Sequence, residues 1–226
     1  MYCEHHHGFD TNSSAMIDDA GLCRHSRNTH EVHFKQGQTL FHQGNPADLL
    51  YEVTQGIVRQ ERVSLNGRRQ VMSFGYVTDI VGVSHSGIHH STCKMITPGV
   101  AISHSGNAHE RISTDPDLHK RVFDAALVEI GGLHKHFEAL RICSAMERVA
   151  GFIARLVGRI GVDTLGQTVV CLPMCRSEIA DYLGLSTETI SRMISQLRAS
   201  QVISLANPQA DIVHGIDKLR VLAEGE

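Results

Sequence analysis

Glu188, Ser191, Arg192 and Ser195 lie three, one and three positions apart in the stretch CRSEIADYLGLSTETISRMISQLRAS, residues 175–200. On a helix these intervals put all four on one face. Their chemistry suits base-edge recognition. A guanidinium donates two hydrogen bonds to guanine O6 and N7, a carboxylate accepts from cytosine N4, and a serine is small enough to permit both or to touch a base itself. Thr187 and Thr189 in the same first turn, and Arg176 upstream, add donors for phosphates or bases.

Such a face must be held outward by a buried one. Ile190, Met193, Ile194 and Leu197 supply it, with the 3.6-residue period of an amphipathic helix over 187–199. Ser186 is placed to cap its first turn. The preceding segment, 176–183, buries Ile179, Tyr182 and Leu183, and Ala180 is small where two helices must cross closely. Gly184 suits the positive φ that ends a helix. Two short helices around a tight glycine turn make a helix-turn-helix, whose second helix enters the DNA major groove. A merely solvated helix face is the alternative. The turn spacing, the cap and the ribbon VISLANPQADIVHG that follows all favour DNA reading.

Cys175 opens the first helix beside Arg176. A helix N-terminus and a neighbouring cation both favour thiolate, which makes Cys175 a redox candidate; a small capping-region residue is the other reading. The chain also has 16 histidines. His85, His89, His90 and Cys93 could converge on one edge of a roll and bind zinc, iron or haem. Solvated loops are the blander expectation, so no metal or cofactor is expected. Nothing resembles a nucleophile elbow, a phosphate-binding glycine loop or His-Glu-x-x-His, and an enzyme is not expected.

Length and composition allow a packed chain of one large or two ordinary domains: 226 residues, 42% hydrophobic, net charge −3. From Ser144 to the end, 8 Lys and Arg stand against 9 Asp and Glu, so any case for DNA rests on local geometry. No apolar run approaches the roughly 20 residues that span a bilayer, and no export signal is visible. The six cysteines form no disulfide framework. These features predict a cytoplasmic protein with no membrane partner.

Residues 1–28 read as an irregular tail. Residues 29–115 show short strands punctuated by glycine, with Asn66-Gly67 as a two-residue hairpin signal, and predict a β-roll. Over 116–142, Val122, Ala126, Ile130, Leu133, Phe137 and Leu140 form one apolar seam on a long helix, which either lies on the roll or, as its length favours, also pairs with its twin in a homodimer. Residues 143–226 begin with a capping box at Ser144 and continue as helix 145–158, strand 168–172, the two helices above, a β-ribbon over 202–214 and a helix over 217–223.

LPMCRSEIADYLGLSTETISRMISQL closely resembles the helix-turn-helix of the Crp/Fnr transcription regulators, especially the FNR and FixK branch. FKQGQTLFHQGNPADLLYEVTQGIVRQERVSLNGRRQVMSF resembles that family's roll, and SAMERVAGFIARLV the helix past its hinge. The resemblance covers residues 30–223. It implies an α+β fold: a double-stranded β-helix of the cyclic-nucleotide-binding jelly-roll type, a long dimerisation helix and a C-terminal winged helix. It further implies a homodimer that reads a palindrome like TTGAT-N4-ATCAA through Glu188, Ser191 and Arg192, works with RNA polymerase, and serves oxygen-, redox- or nitrogen-oxide-linked genes. Family members that bind cyclic AMP use an acid for the ribose and a buried arginine for the phosphate. Asp79 can stand for the acid, but no arginine lies between Arg69 and Arg111, so cyclic AMP is not expected. Cys3 and Cys23 stand too far apart for the tight cluster of the iron–sulfur branch. A metal- or haem-binding sensor whose ligand controls DNA binding is the alternative.

Overall fold

The computed structural model describes residues 29–104, 113–164, 167–207 and 210–225. The expected tail, with Cys3 and Cys23, lies outside them. Among the described residues, eight strands build the N-terminal domain: β1 (Thr29–Phe34), β2 (Thr39–Phe41), β3 (Leu50–Gln55), β4 (Val58–Val63), β5 (Arg69–Gly75), β6 (Ile80–Val81), β7 (Thr92–Met95) and β8 (Gly99–His104). They form two antiparallel four-stranded sheets, ordered β1-β8-β3-β6 and β2-β7-β4-β5. The inward residues of both sheets, among them Phe34, Phe41, Tyr51, Val53, Val58, Cys93 and Met95, make one buried cluster. Their alternation with exposed residues is the period of a strand with one dry face.

Two glycines show why the roll can turn so tightly. Gly56 has φ +89, and a Cβ there would lie 2.8 Å from the Pro98 carbonyl oxygen. The β4–β5 turn departs from the two-residue expectation. Ser64 N donates to Arg68 O at 3.0 Å and Gly67 N donates to Ser64 O at 2.8 Å, leaving Leu65, Asn66 and Gly67 as a three-residue loop. Gly67 takes φ +79, the left-handed position such loops place last.

Helix α1 (Pro116–Ile142) starts where Asp115 accepts from Asp117 N and Leu118 N, with Pro116 in the first turn. Leu118 and Val122 pack on Leu50 and anchor it to the roll. Ser144 then opens α2 (Ala145–Ile160) through a complete capping box with Glu147. Arg148 braces this hinge by donating to Cys143 O, Leu140 O and Leu183 O at 2.9, 3.0 and 3.3 Å.

The C-terminal domain continues with β9 (Val162–Thr164), β10 (Gln167–Cys171), α3 (Arg176–Leu183), α4 (Thr187–Ala199), β11 (Ile203–Asn207), β12 (Ala210–Val213) and α5 (Ile216–Glu224). Its sheet runs β11-β12-β10-β9. Ile153, Leu156, Ile179, Leu183, Ile190, Leu197, Ile203 and Leu219 fill its core, which also takes in Ile57 and Ile96 of the roll. The architecture is α+β: a β-roll, a long helix and a winged helix.

Candidate nucleic-acid interface

The α3–α4 turn is built from three local devices. Gly184 ends α3 at φ 63, where a side chain would be strained and its Cβ would meet Leu140 at 3.3 Å. Leu185 N donates to Ala180 O at 3.0 Å. Ser186 caps α4 by accepting from Thr189 N at 3.1 Å. Ile190, Met193, Ile194 and Leu197 are buried, so the opposite stripe of α4 is forced outward.

Thr187, Glu188, Ser191, Arg192 and Ser195 are exposed on that stripe. Glu188 is fully exposed, and hydrogen bonds from its own backbone N–H and from Ser186 hold its carboxyl below the usual range. It is therefore an acceptor, the state needed to meet a cytosine amino group. Among the described residues, no carboxylate pairs with Arg192. Ser191 and Ser195 turn their hydroxyls back to Thr187 O and Ser191 O, each at 2.9 Å. Thr189 is half-buried, and its hydroxyl lies 3.0 Å from that of Ser186.

Arg176 is placed differently. It is half-buried, its Nη1 is enclosed without a hydrogen-bond partner, and burial, with Arg198 nearby, lowers its pKa. Cys175 is exposed at the α3 N-terminus, with its Sγ 3.0 Å from Ser177 Oγ. Its backbone N–H donates to Glu178 Oε2 at 2.8 Å.

Glu178 leads to a network that sequence spacing alone does not show. Glu178 is buried and pairs with Arg59 of β4, itself buried. Arg59 also pairs with Glu61 at 2.6 Å, and Glu61 with Lys94 at 2.8 Å. Burial pushes the Glu61 carboxyl up, but Lys94 and Arg59 more than offset that and leave it below its usual value. Arg69 pairs with Asp181 at 3.1 Å. The roll thus grips α3 through ionic contacts. The available signal lies in VRQERV, where Arg59 and Glu61 stand two apart, on one face of a strand.

The apolar seam of α1 is partly rotated. Val122 is buried inside the protomer against Leu50 and Leu118, because that turn of the helix docks on the roll. Ala126 and Leu140 are half-buried. Ile130, Leu133 and Phe137 are exposed, and Phe123 and Leu127 extend their stripe toward the helix start.

His85, His89, His90 and Cys93 are not brought together as one group. Cys93 is sealed in the roll core, where burial drives its thiol pKa far up. His89 is buried and stacked on Phe41 at 3.9 Å. His85 and His90 are exposed, and His90 Nε2 lies 2.9 Å from Ser86 Oγ. Among the described residues, no three His, Cys, Asp or Glu side chains are grouped to hold a metal. Asp79 is engaged too: it pairs with Arg159 of α2 and accepts from Tyr76 N at 2.8 Å. His134 is exposed; His136 stacks on Tyr182 at 4.2 Å beside a cavity of about 640 Å³ between the roll, α1 and α2.

A β-roll joined by a long helix to a winged helix, with an outward polar stripe on the second helix of its helix-turn-helix, defines a DNA-binding regulator. Residues 147–222 match the model of the Crp-like helix-turn-helix domain, and residues 31–112 that of the cyclic nucleotide-binding domain. The nitrogen fixation regulation protein FixK of Bradyrhizobium diazoefficiens is 31% identical over 214 residues, covering 92% of this chain and 87% of that protein. FixK of Rhizobium meliloti is 32% identical over 84% of this chain and 85% of its own length. The solved structure of FixK2 from Bradyrhizobium japonicum superposes with a TM-score of 0.77 at 25% identity, covering 86% of this chain and 96% of that one. The chain belongs to the Crp/Fnr family of transcription regulators, on its FixK branch. Its relatives are regulators, not enzymes. Among the described residues, no helix is long and apolar enough to cross a membrane.

Proposed function

We propose that this protein is a cytoplasmic homodimer that binds a palindrome of the TTGAT-N4-ATCAA type and recruits RNA polymerase to oxygen-, redox- or nitrogen-oxide-linked genes. One observation carries the reading: α4 buries one face completely and leaves Glu188, Ser191 and Arg192 in solvent. In this role Arg192 donates to guanine O6 and N7, Glu188 accepts from cytosine N4, and Ser191 leaves room for both bonds. Thr187, Thr189 and Ser195 flank them, and Arg176 reaches phosphate once its side chain swings outward. The exposed stripe Phe123, Leu127, Ile130 and Phe137 supports dimerisation, since so long an apolar patch favours a partner helix. Two protomers then present two α4 helices to two half-sites.

A gel shift on a TTGAT-N4-ATCAA duplex, with a scrambled duplex as control, tests the reading. Saturable binding of two protomers per palindrome is expected, and equal affinity for the scrambled duplex would refute it. A metal- or haem-dependent sensor is the lesser reading, because the candidate ligands lie apart. An absorption spectrum of the purified protein checks it: a Soret band or sulfur-to-iron transitions would revive it.

A further inference from the structure

We propose that the β4–β5 hairpin of the roll is a second DNA contact, in which Arg62 and Arg68 hold backbone phosphates beside the half-site read by α4. The proposal rests on the DNA-binding reading above and extends it to a domain outside the winged helix.

The charges of the C-terminal domain are the starting point. From Ser144 onward, 8 Lys and Arg face 9 Asp and Glu. Half of these cations are already engaged. Arg159 pairs with Asp79, Arg198 with Asp211 at 2.7 Å and Arg220 with Asp217 at 3.3 Å. Arg148 gives its donors to three carbonyls. The β11–β12 ribbon, residues 203–213, contains no Lys or Arg. Yet neutralisation of phosphates by Lys and Arg supplies a large share of DNA affinity. The winged helix alone brings few cations to that task.

The hairpin brings more. Residues 62–70, RVSLNGRRQ, hold three arginines and no acid. Arg69 fastens the hairpin to Asp181 of α3 at 3.1 Å. Arg62 and Arg68 are exposed, and no carboxylate among the described residues pairs with either. They border a cleft of about 440 Å³ whose far wall is Ala180, Asp181, Gly184 and Leu185. That wall is the end of α3 and the turn before α4, which begins at Thr187. Two guanidinium groups without a carboxylate partner therefore stand next to the N-terminal end of the reading helix, the end that approaches the duplex in a helix-turn-helix. A merely solvated hairpin leaves unexplained why an acid-free arginine cluster is clamped at this place.

The test is the salt dependence of operator binding by the full-length protein. Each phosphate contact contributes about 0.9 to the slope of log affinity against log salt concentration. An R62Q/R68Q variant takes two guanidinium–phosphate pairs from each protomer of a dimer. It is expected to lower the slope by about 3–4 and to bind the operator at least about tenfold more weakly near 0.15 M salt. Discrimination between the operator and a duplex altered at its G position stays unchanged, because phosphate contacts carry no sequence information. A second variant, L65K, adds charge at a fully exposed tip without removing packing, and should raise the slope. Parental slopes in both variants would overturn the proposal. So would lost promoter activation at unchanged slope and affinity, which assigns the hairpin to polymerase. Failure of the parent itself to bind the operator would instead sink the DNA-binding reading on which this rests.

Discussion

Arg59 of β4 and Glu178 of α3 form an ion pair in which both residues are buried, so the roll and the DNA-binding domain share a charged contact shut off from water. Glu178 also accepts from the Cys175 backbone N–H, which makes one carboxylate both a helix cap and an interdomain strut. Breaking a buried pair by removing one partner strands the other charge and costs about 3–5 kcal/mol. Arg59→Met is therefore expected to destabilise the protein by that amount in urea unfolding. Adding Glu178→Gln should recover part of the loss, with a coupling of about 0.5–3 kcal/mol. Strict additivity of the two changes would show that the pair does not act as a unit.

Arg192 stands on the exposed stripe with no carboxylate partner among the described residues, so its removal leaves the fold intact and acts on recognition alone. Arg192→Ala should lose about 1–3 kcal/mol of discrimination at the G position of the half-site. Its melting temperature should match the parent's. Competition gel shifts with each base substituted in turn provide the check; undiminished preference for G at that position would refute the assigned contact.

On α1, Leu127 and Ile130 are about half exposed and point away from the roll, in contrast to Val122. A glutamate at either position costs the protomer little but places like charges across a helix pair. Leu127→Glu or Ile130→Glu should convert a dimer to monomers by light scattering and abolish palindrome binding. Val122→Ala should instead lower stability, by about 0.5–3 kcal/mol, and leave the dimer intact. If Ile130→Glu remains dimeric, α1 is not the seam.

The helix-turn-helix is legible in the sequence because its cues are local: an amphipathic period, a cap at Ser186 and a glycine at the positive φ that ends α3. The observed spans of α3 and α4 coincide with the expected 176–183 and 187–199. Strand β9 leaves no such trace, because Val162, Asp163 and Thr164 are all exposed and no alternation marks it. Spacing puts Val122 in the α1 seam, but it cannot tell which apolar side chains dock on the roll, and Val122 packs there against Leu50. The histidines mislead for the same reason: burial of His89 against Phe41 and dispersal of its neighbours are tertiary facts. The Arg59–Glu61–Glu178 network spans residues far apart in the chain, and only the placement of β4 against α3 reveals it.

His89 gives the roll a pH dependence of definite sign. Burial lowers its pKa, with a smaller contribution from His90 and an opposing one from Asp48. The folded state therefore binds its proton less readily than the unfolded chain, whose histidine titrates near about 6.5. The stability that neutral, stacked His89 supplies is fully present above that value and is lost as pH falls below it. The carboxylates whose pKa values are lowered, such as Glu61, act only in a more acidic window. His89→Phe keeps the stack on Phe41 and removes the titration, so its melting temperature should fall less than the parent's between pH 7 and pH 5. Parallel curves for the two proteins would show that His89 is not the source.

Cys175 combines exposure with a position at the start of α3, next to Ser177 and one backbone hydrogen bond from the buried Glu178. Peroxide would convert its thiolate to a sulfenate, transferring one oxygen to sulfur and releasing water; a second equivalent gives the sulfinate. Either product adds polar bulk and negative charge at the helix-turn-helix, where the phosphate backbone is itself negative. The buried Cys93 cannot compete for oxidant, since the roll core encloses it. Cys143 and Cys171 lie outside the helix-turn-helix. Operator binding by the parent should therefore fall after peroxide and return with a thiol reductant if the sulfenate is the product. Cys175→Ser keeps a small polar residue at the cap and should hold its affinity through the same treatment. If the serine variant loses binding to the same extent, the sensitive group lies elsewhere and Cys175 is a capping residue only.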